Sequence, residues 1–281
     1  MTPRSRFIAI PDHEIHVTEW GAPDAPALVL WHGLARTGRD FDELAAGLSD
    51  HWRVICPDTI GRGFSSWAHD PDAEYCLDAY AQQALALLDA LEIERAAWLG
   101  TSMGGIIGLR IASGPHASRL KALIVNDIGP ELPQPAIDRI LAYTGTPPVF
   151  ATVAEAEARL RQVYIPFGPA GDDFWQRMAE TSVRRRDDGR LTLHYDPRIV
   201  RQFEVHPEDF STWDHYETIT TPMHLFRGAQ SDLLTQDIAA RMQTCGPKPG
   251  LTLFDECGHA PSLSNPMAIA TVKQVLFDLA G

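Results

Sequence analysis

The stretch Leu99-Gly100-Thr101-Ser102-Met103-Gly104-Gly105 decides the fold of this chain. An apolar run, Ala96 to Leu99, precedes it and a second, Met103 to Ile111, follows it, which is typical of a tight turn between a buried strand and a helix. Small residues on both sides of Ser102 fit a serine with strained backbone dihedrals, since that turn leaves no room for larger neighbours. The same pattern also suits a glycine-rich turn of a nucleotide-binding fold, so the surrounding chain has to decide.

Strand and helix patterns alternate on both sides of this turn. Buried strands and amphipathic helices following one another predict an α/β fold with a mostly parallel, doubly wound sheet covered by helices on both faces. The predicted strands are Phe7–Ile10, Glu14–Trp20, Ala27–Trp31, Arg53–Cys56, Ala96–Leu99, Leu120–Val125, Met223–Phe226 and Leu251–Phe254. The predicted helices include Phe41–Leu48, Leu77–Leu91, Ser102–Ser113, Gln236–Gln243 and Met267–Leu279.

This alternation stops between Asp127 and Tyr216. We find no buried-strand pattern there, but helical stretches, one of which begins at the capping box Thr152–Glu155. The sequence therefore predicts a core of residues 1–127 and 217–281 and a helical cap of residues 128–216 inserted between two strands. An insertion at the carboxyl ends of parallel strands is placed to act as a lid, because ligands bind at that edge.

Three polar residues at strand ends predict nucleophilic catalysis. Ser102 follows one strand, Asp232 follows Met223–Phe226, and His259 follows Leu251–Phe254. A parallel sheet brings such residues to one edge, where His259 would take the serine proton and an acid would hold its imidazole. We favour Asp232 as the acid, with Asp127, directly after Leu120–Val125, as the alternative.

A serine nucleophile also needs donors for the oxyanion. The backbone N–H of Met103 is one candidate, and the N–H of Leu34, after His32-Gly33, is the second. We interpret His32 as structural rather than catalytic. These patterns imply no metal and no cofactor.

Composition limits the partners of the chain. It has 281 residues, 44% hydrophobic and 22% charged, with a formal net charge of −13. That charge argues against nucleic acid and anionic membranes, and leaves a small-molecule substrate. The sequence predicts a cytoplasmic protein with free thiols. Its four cysteines lack metal-binding spacing, Met1–Pro11 has no apolar segment, and no apolar run is long enough to span a membrane. The oligomeric state cannot be predicted.

The chain resembles the α/β-hydrolase superfamily over nearly its whole length. The resemblance rests on His32-Gly33, the loop Asp58–Ser65, the turn around Ser102, Gly228–Asp232 and Gly258-His259. It implies an eight-stranded, mostly parallel sheet with a helical cap. Carboxylesterases and hydrolases of ring-cleavage products are the most similar groups.

We therefore expect a serine hydrolase of a small, largely apolar ester or lactone. C–C bond hydrolases of this superfamily usually carry a tryptophan after the catalytic histidine, and Ala260 stands there. Their substrates would also need a pocket arginine, and nothing selects among Arg62, Arg161, Arg184 and Arg185. C–C hydrolysis and non-catalytic ligand binding remain the alternatives. The candidate pocket walls are Phe150, Tyr164, Phe167, Phe174 and Trp175.

Overall fold

The computed structural model describes residues 2–280, so that Met1 and Gly281, the outer ends of the predicted core segments, lie outside the described residues. The strands are β1 (Arg4–Ile10), β2 (His13–Trp20), β3 (Ala27–Trp31), β4 (Arg53–Pro57), β5 (Ala96–Thr101), β6 (Leu120–Asn126), β7 (Val149–Phe150), β8 (Val183–Arg185), β9 (Leu191–Leu193), β10 (Met223–Gly228) and β11 (Gly250–Phe254). The helices are α1 (Asp42–Leu48), α2 (Pro71–Glu74), α3 (Leu77–Ala90), α4 (Met103–Ser113), α5 (Gln134–Thr144), α6 (Val153–Val163), α7 (Asp172–Ser182), α8 (Gln202–Val205), α9 (Trp213–Glu217), α10 (Gln236–Met242) and α11 (Pro266–Ala280).

One eight-stranded sheet runs through the core in the order β1-β2-β4-β3-β5-β6-β10-β11. β2 is antiparallel to both β1 and β4, and every other neighbouring pair is parallel. The predicted mostly parallel, doubly wound sheet of an α/β hydrolase is therefore confirmed. Its carboxyl edge gathers the loops that follow β3, β5, β6, β10 and β11.

Apolar side chains cover both faces of the sheet, as the continuous apolar strands predict. In β3, Leu28 and Leu30 point to the face covered by α1 and α11, whereas Val29 and Trp31 point to the face covered by α3 and α4. All four are at most 1% exposed. This two-sided burial explains why the strand has no polar alternation.

Residues 127–222 connect β6 to β10 and contain α5 to α9. Thr152 caps α6 as predicted, because its Oγ1 accepts the N–H of Glu155 at 3.2 Å. The sequence shows helical stretches and no buried-strand pattern here, and the structure adds a small antiparallel sheet formed by β7, β9 and β8. Its strands are only two or three residues long, too short for an alternating pattern to show in the sequence.

The cysteines and the helices bear on the chemistry of the chain and on its relation to a membrane. All four cysteines are free thiols. Among residues 2–280 no helix combines the length and the apolar character that crossing a bilayer requires.

Candidate active site

Ser102 occupies the turn between β5 and α4. Its φ of 52° and ψ of −119° are strained for a residue with a Cβ, a conformation that costs about 1–3 kcal/mol. A Cβ at Gly100 would overlap the carbonyl group of Gly104, and a Cβ at Gly104 would overlap the carbonyl oxygen of Trp31. Glycine is therefore needed at both positions so that α4 can start directly after Ser102. This is the steric requirement that the sequence pattern predicts.

His259, in the loop after β11, joins Ser102 to a buried carboxylate. Its Nε2 lies 2.9 Å from Ser102 Oγ, and its Nδ1 lies 2.9 Å from Asp127 Oδ2. Asp127 is fully buried. Its Oδ1 accepts the N–H of Gly228 at 2.8 Å, and its Oδ2 also accepts the hydroxyl of Ser231 at 2.5 Å. Because an ionised carboxylate only accepts, the imidazole proton sits on Nδ1, and Nε2 is free to accept from the serine.

The expectation that Asp232 lies beside His259 is corrected by this geometry. Asp232 is at the surface, with half of its side chain exposed, and its two oxygens accept from Arg139 at 2.8 and 2.9 Å. The loop after β10 turns outward over the three residues that separate Gly228 from Asp232. Asp127 instead follows β6 without an intervening loop residue, and its φ of 62° turns its side chain toward His259.

His32 fixes the loop that follows β3. Its Nδ1 donates to the carbonyl oxygen of Gly33 at 2.7 Å, and its Nε2 accepts the N–H of Thr59 at 2.9 Å. Complete burial lowers the pKa of His32 to about 4, so the ring is neutral near pH 7. The neutral ring of His32 has one donor and one acceptor nitrogen, and both are hydrogen-bonded to the backbone. His32 therefore has a structural role, as the sequence predicts.

The two predicted oxyanion donors are the N–H groups of Leu34, in the loop after β3, and of Met103, the first residue of α4 directly after Ser102. Within residues 2–280 neither amide donates to another group of the chain. Arg62, fully buried, lies behind both residues: its Nε donates to the carbonyl oxygen of Leu34 at 2.8 Å and its Nη2 lies 3.4 Å from the sulfur of Met103. Its Nη1 donates to Ile60 O and to the hydroxyl of Tyr80. Arg62 therefore supports the backbone around Leu34 and Met103. It is not the pocket cation that C–C bond hydrolysis would need.

A cavity between the sheet edge and residues 130–180 contains Ser102 and His259 in its wall. Three of the five predicted wall residues, Tyr164, Phe167 and Phe174, line it. Phe150 and Trp175 instead pack inside small apolar clusters. The other apolar side chains of the wall are Leu34, Ala35, Phe41, Ile140, Val163, Ala260 and Pro261.

Comparison with known proteins identifies the family of the chain. The model of the alpha/beta hydrolase family matches residues 28–272. The chain belongs to the alpha/beta hydrolase family. A 3-hydroxybutyrate-oligomer hydrolase of Cupriavidus necator is 38% identical over 272 residues, which cover 93% of this chain and 92% of that protein. Homologues named hydrolase or esterase place this alpha/beta hydrolase among enzymes.

Solved structures of similar proteins cover the whole alpha/beta hydrolase chain. A putative hydrolase from Rickettsia typhi has a TM-score of 0.90 at 30% identity, covering 99% of both chains. An alpha/beta hydrolase from Novosphingobium aromaticivorans has a TM-score of 0.86 at 32% identity, covering 98% of both.

Two arginines of the alpha/beta hydrolase line the cavity, and the sequence reasoning missed both. They are Arg36, two residues after Leu34, and Arg139 on α5. Arg161 pairs with Glu157 and Asp172 at the surface. Arg184 lies over the ring of Trp67, and Arg185 donates to Gly189 O. Arg36 follows the loop at the end of β3, and this position would have indicated it as a pocket residue. No local sequence pattern indicates Arg139.

Proposed function

We propose that this alpha/beta hydrolase is a serine esterase that uses Ser102, His259 and Asp127 to cleave short esters, with oligomers of hydroxy acids such as 3-hydroxybutyrate as the substrate class. This proposal rests on the hydrogen bonds that join Ser102, His259 and Asp127. Ser102 and His259 lie in the wall of the cavity. A serine hydroxyl is a weak nucleophile until a base within hydrogen-bond reach takes its proton, and His259 Nε2 is 2.9 Å away.

The reaction follows from the donors and acceptors at the site. Ser102 Oγ attacks the ester carbonyl carbon while its proton passes to His259 Nε2, and the buried Asp127 carboxylate stabilises the imidazolium through Nδ1–H. His259 then gives that proton to the departing alcohol oxygen, which leaves an acyl group on Ser102. A water molecule, deprotonated by the same nitrogen, then attacks the acyl carbon. The bond between that carbon and Ser102 Oγ breaks, the acid leaves, and His259 returns the proton to the serine.

The N–H groups of Leu34 and Met103 are the proposed oxyanion donors. Leu34 lies in the loop that His32 holds, Met103 is the first residue of α4, and neither N–H has another acceptor within residues 2–280. One such donor is worth about 2.7–4 kcal/mol in the transition state. Because they are preorganised, they stabilise the tetrahedral intermediate without further ordering.

The substrate class rests on the homologue and on the cavity. The Cupriavidus necator relative, which matches almost end to end, acts on 3-hydroxybutyrate oligomers by its name. Apolar side chains such as Ile140, Val163 and Phe174 line part of the cavity and suit short branched acyl units. In this proposal residues 128–216 form the cap that closes it, and the four free thiols fit work in the reducing cytoplasm.

The test is turnover of the 3-hydroxybutyrate trimer by the purified protein. We expect release of 3-hydroxybutyrate monomer and dimer, hydrolysis of 4-nitrophenyl butyrate, and no turnover of either by Ser102→Ala. A dienoic ring-cleavage acid is the comparison substrate. If its kcat/KM exceeds that of the esters by more than about 10³, which is about 4 kcal/mol of transition-state binding, C–C hydrolysis replaces the proposal.

A further inference from the structure

The cavity wall carries three side chains with a full charge, Arg36, Asp40 and Arg139, while His32 in the same wall is neutral near pH 7. Arg36 is buried, and its Nε and Nη2 donate to the two oxygens of Asp40 at 2.8 and 2.5 Å. Its Nη2 also donates to the hydroxyl of Ser182 at 2.9 Å. The charge of Arg36 is therefore balanced inside the protein, and separating it from Asp40 would leave a buried guanidinium without its carboxylate.

Arg139 differs from Arg36 in exposure. Its side chain is 40% exposed and that of Asp232, its partner, is 51% exposed. The guanidinium binds both carboxylate oxygens of Asp232, through Nε at 2.8 Å and Nη2 at 2.9 Å. Ion pairs at this exposure contribute little net stability, because both partners are well hydrated when apart. Arg139 is therefore a cation in the wall of the catalytic cavity whose carboxylate partner can be exchanged.

We propose that Arg139 binds the free carboxylate of an ester substrate whose scissile bond lies at Ser102, and that this carboxylate displaces Asp232 from the guanidinium. The inference rests on the proposed function, since it names the charged end of the same substrate. Ile140 and Tyr143, next to Arg139 on α5, line the same cavity and give the intervening carbon chain an apolar surface. Displaced Asp232 remains in water and keeps its charge.

This assignment changes the substrate expected from the sequence. The sequence predicts a small, largely apolar ester, in part because nothing in it selects a pocket arginine, and Arg139 removes that part of the reason. Oligomers of a hydroxy acid have the required chemistry, since each has internal esters and one terminal carboxylate. Arg139 selects the acid form of such an ester, whereas Asp232 opposes it by competition and by like charge.

The test compares binding of two ligands to the catalytically silent Ser102→Ala protein by calorimetry. The ligands are the linear 3-hydroxybutyrate dimer with a free carboxylate and the same dimer as its terminal carboxamide. We expect the acid to bind about tenfold more tightly, because a charge-assisted bidentate contact is stronger than a neutral one. Each further substitution is made in the Ser102→Ala protein. Arg139→Gln should remove the preference for the acid over the carboxamide, Arg139→Lys should keep part of it, and Asp232→Asn should increase it severalfold.

Arg161→Gln is the matched control, because Arg161 is an arginine of the same insertion with a similar exposure, 36%, and two carboxylate partners, but lies away from the cavity. The preference for the acid should be unchanged in it. Equal binding of acid and carboxamide, or an acid preference that survives Arg139→Gln, would overturn the assignment. Asp232→Asn without a gain in acid affinity would refute the displacement. Because binding needs no turnover, these outcomes are separate from failure of the esterase proposal.

Discussion

Asp127→Asn is the substitution that decides which carboxylate supports His259. The carboxylate Oδ1 accepts the N–H of Gly228, so the asparagine carbonyl oxygen keeps that position and its NH₂ group faces His259 Nδ1. Two donors cannot share this contact, and the ring therefore moves its proton to Nε2. A protonated Nε2 cannot accept from Ser102, so we expect kcat to fall about 10⁴-fold, equivalent to about 5.5 kcal/mol.

The assay is the steady-state hydrolysis of 4-nitrophenyl butyrate at saturating substrate, with near-ultraviolet circular dichroism to check the fold. Asp232→Asn is the control, since it also removes one carboxylate charge near the cavity, but that carboxylate pairs with the exposed Arg139 and not with His259. Its kcat on this neutral ester should fall by less than about tenfold, within the range of a surface ion pair. A larger loss for Asp232→Asn than for Asp127→Asn would refute the reasoning.

Three further substitutions test the supporting structure. Gly104→Ala forces a Cβ against the carbonyl oxygen of Trp31, and urea unfolding should show a loss of about 1–3 kcal/mol; an unchanged midpoint would contradict the close packing. His32 has a folded-state pKa of about 4 against about 6.5 when unfolded, so the unfolded state binds more protons between these values. Stability should therefore fall as pH drops from 6.5 to 4, by up to about 3 kcal/mol, and less steeply in His32→Asn; parallel curves would contradict it. Arg62→Met removes the donor to Leu34 O and should lower kcat about 10–100-fold with KM within about threefold, since the oxyanion contact forms only in the transition state. Equal effects on kcat and KM would indicate a general structural role, and Tyr80→Phe, which touches Arg62 but not Leu34, is its control.

The sheet could be predicted because its strands are buried on both faces. Leu28 to Trp31 and Ala96 to Leu99 are apolar at every position, and such runs between amphipathic helices favour one architecture. The turn at Ser102 could also be predicted from the sequence, because steric limits at Gly100 and Gly104 leave few alternatives to glycine. The small sheet of β7, β8 and β9 could not be predicted, since its strands are too short to show a period.

The acid could be narrowed to two residues but not chosen from the sequence. Asp127 and Asp232 both follow strands that end at the carboxyl edge of the sheet, so strand position alone does not separate them. What separates them is direction: Asp127 turns inward at a positive φ, whereas the loop before Asp232 carries it to the surface. Similarly, Arg139 enters the cavity wall only through the packing of α5, a tertiary property with no local signal.

A second serine of the chain provides an internal control for the central claim. Ser5 Oγ lies 2.8 Å from His16 Nε2, and His16 Nδ1 lies 2.8 Å from Asp58 Oδ2. These contacts imitate those of Ser102, but Ser5 is an exposed residue of β1 and lies outside the lining of the cavity. Hydrogen bonding to a histidine–aspartate pair is therefore common to both serines, while the strained turn and the facing N–H groups belong to Ser102 alone.

The most direct measurement is covalent labelling by a fluorophosphonate, with the modified residue identified by mass spectrometry of the digested protein. The account predicts stoichiometric labelling of Ser102, its loss in Ser102→Ala, a strong slowing in His259→Ala, and full labelling of Ser5→Ala. Members of one catalytic unit are not additive, so the double variant Ser102→Ala/His259→Ala should hydrolyse 4-nitrophenyl butyrate hardly more slowly than either single one. Labelling at Ser5, labelling that persists in Ser102→Ala, or no labelling of the folded protein would contradict the claim that Ser102 is an activated nucleophile.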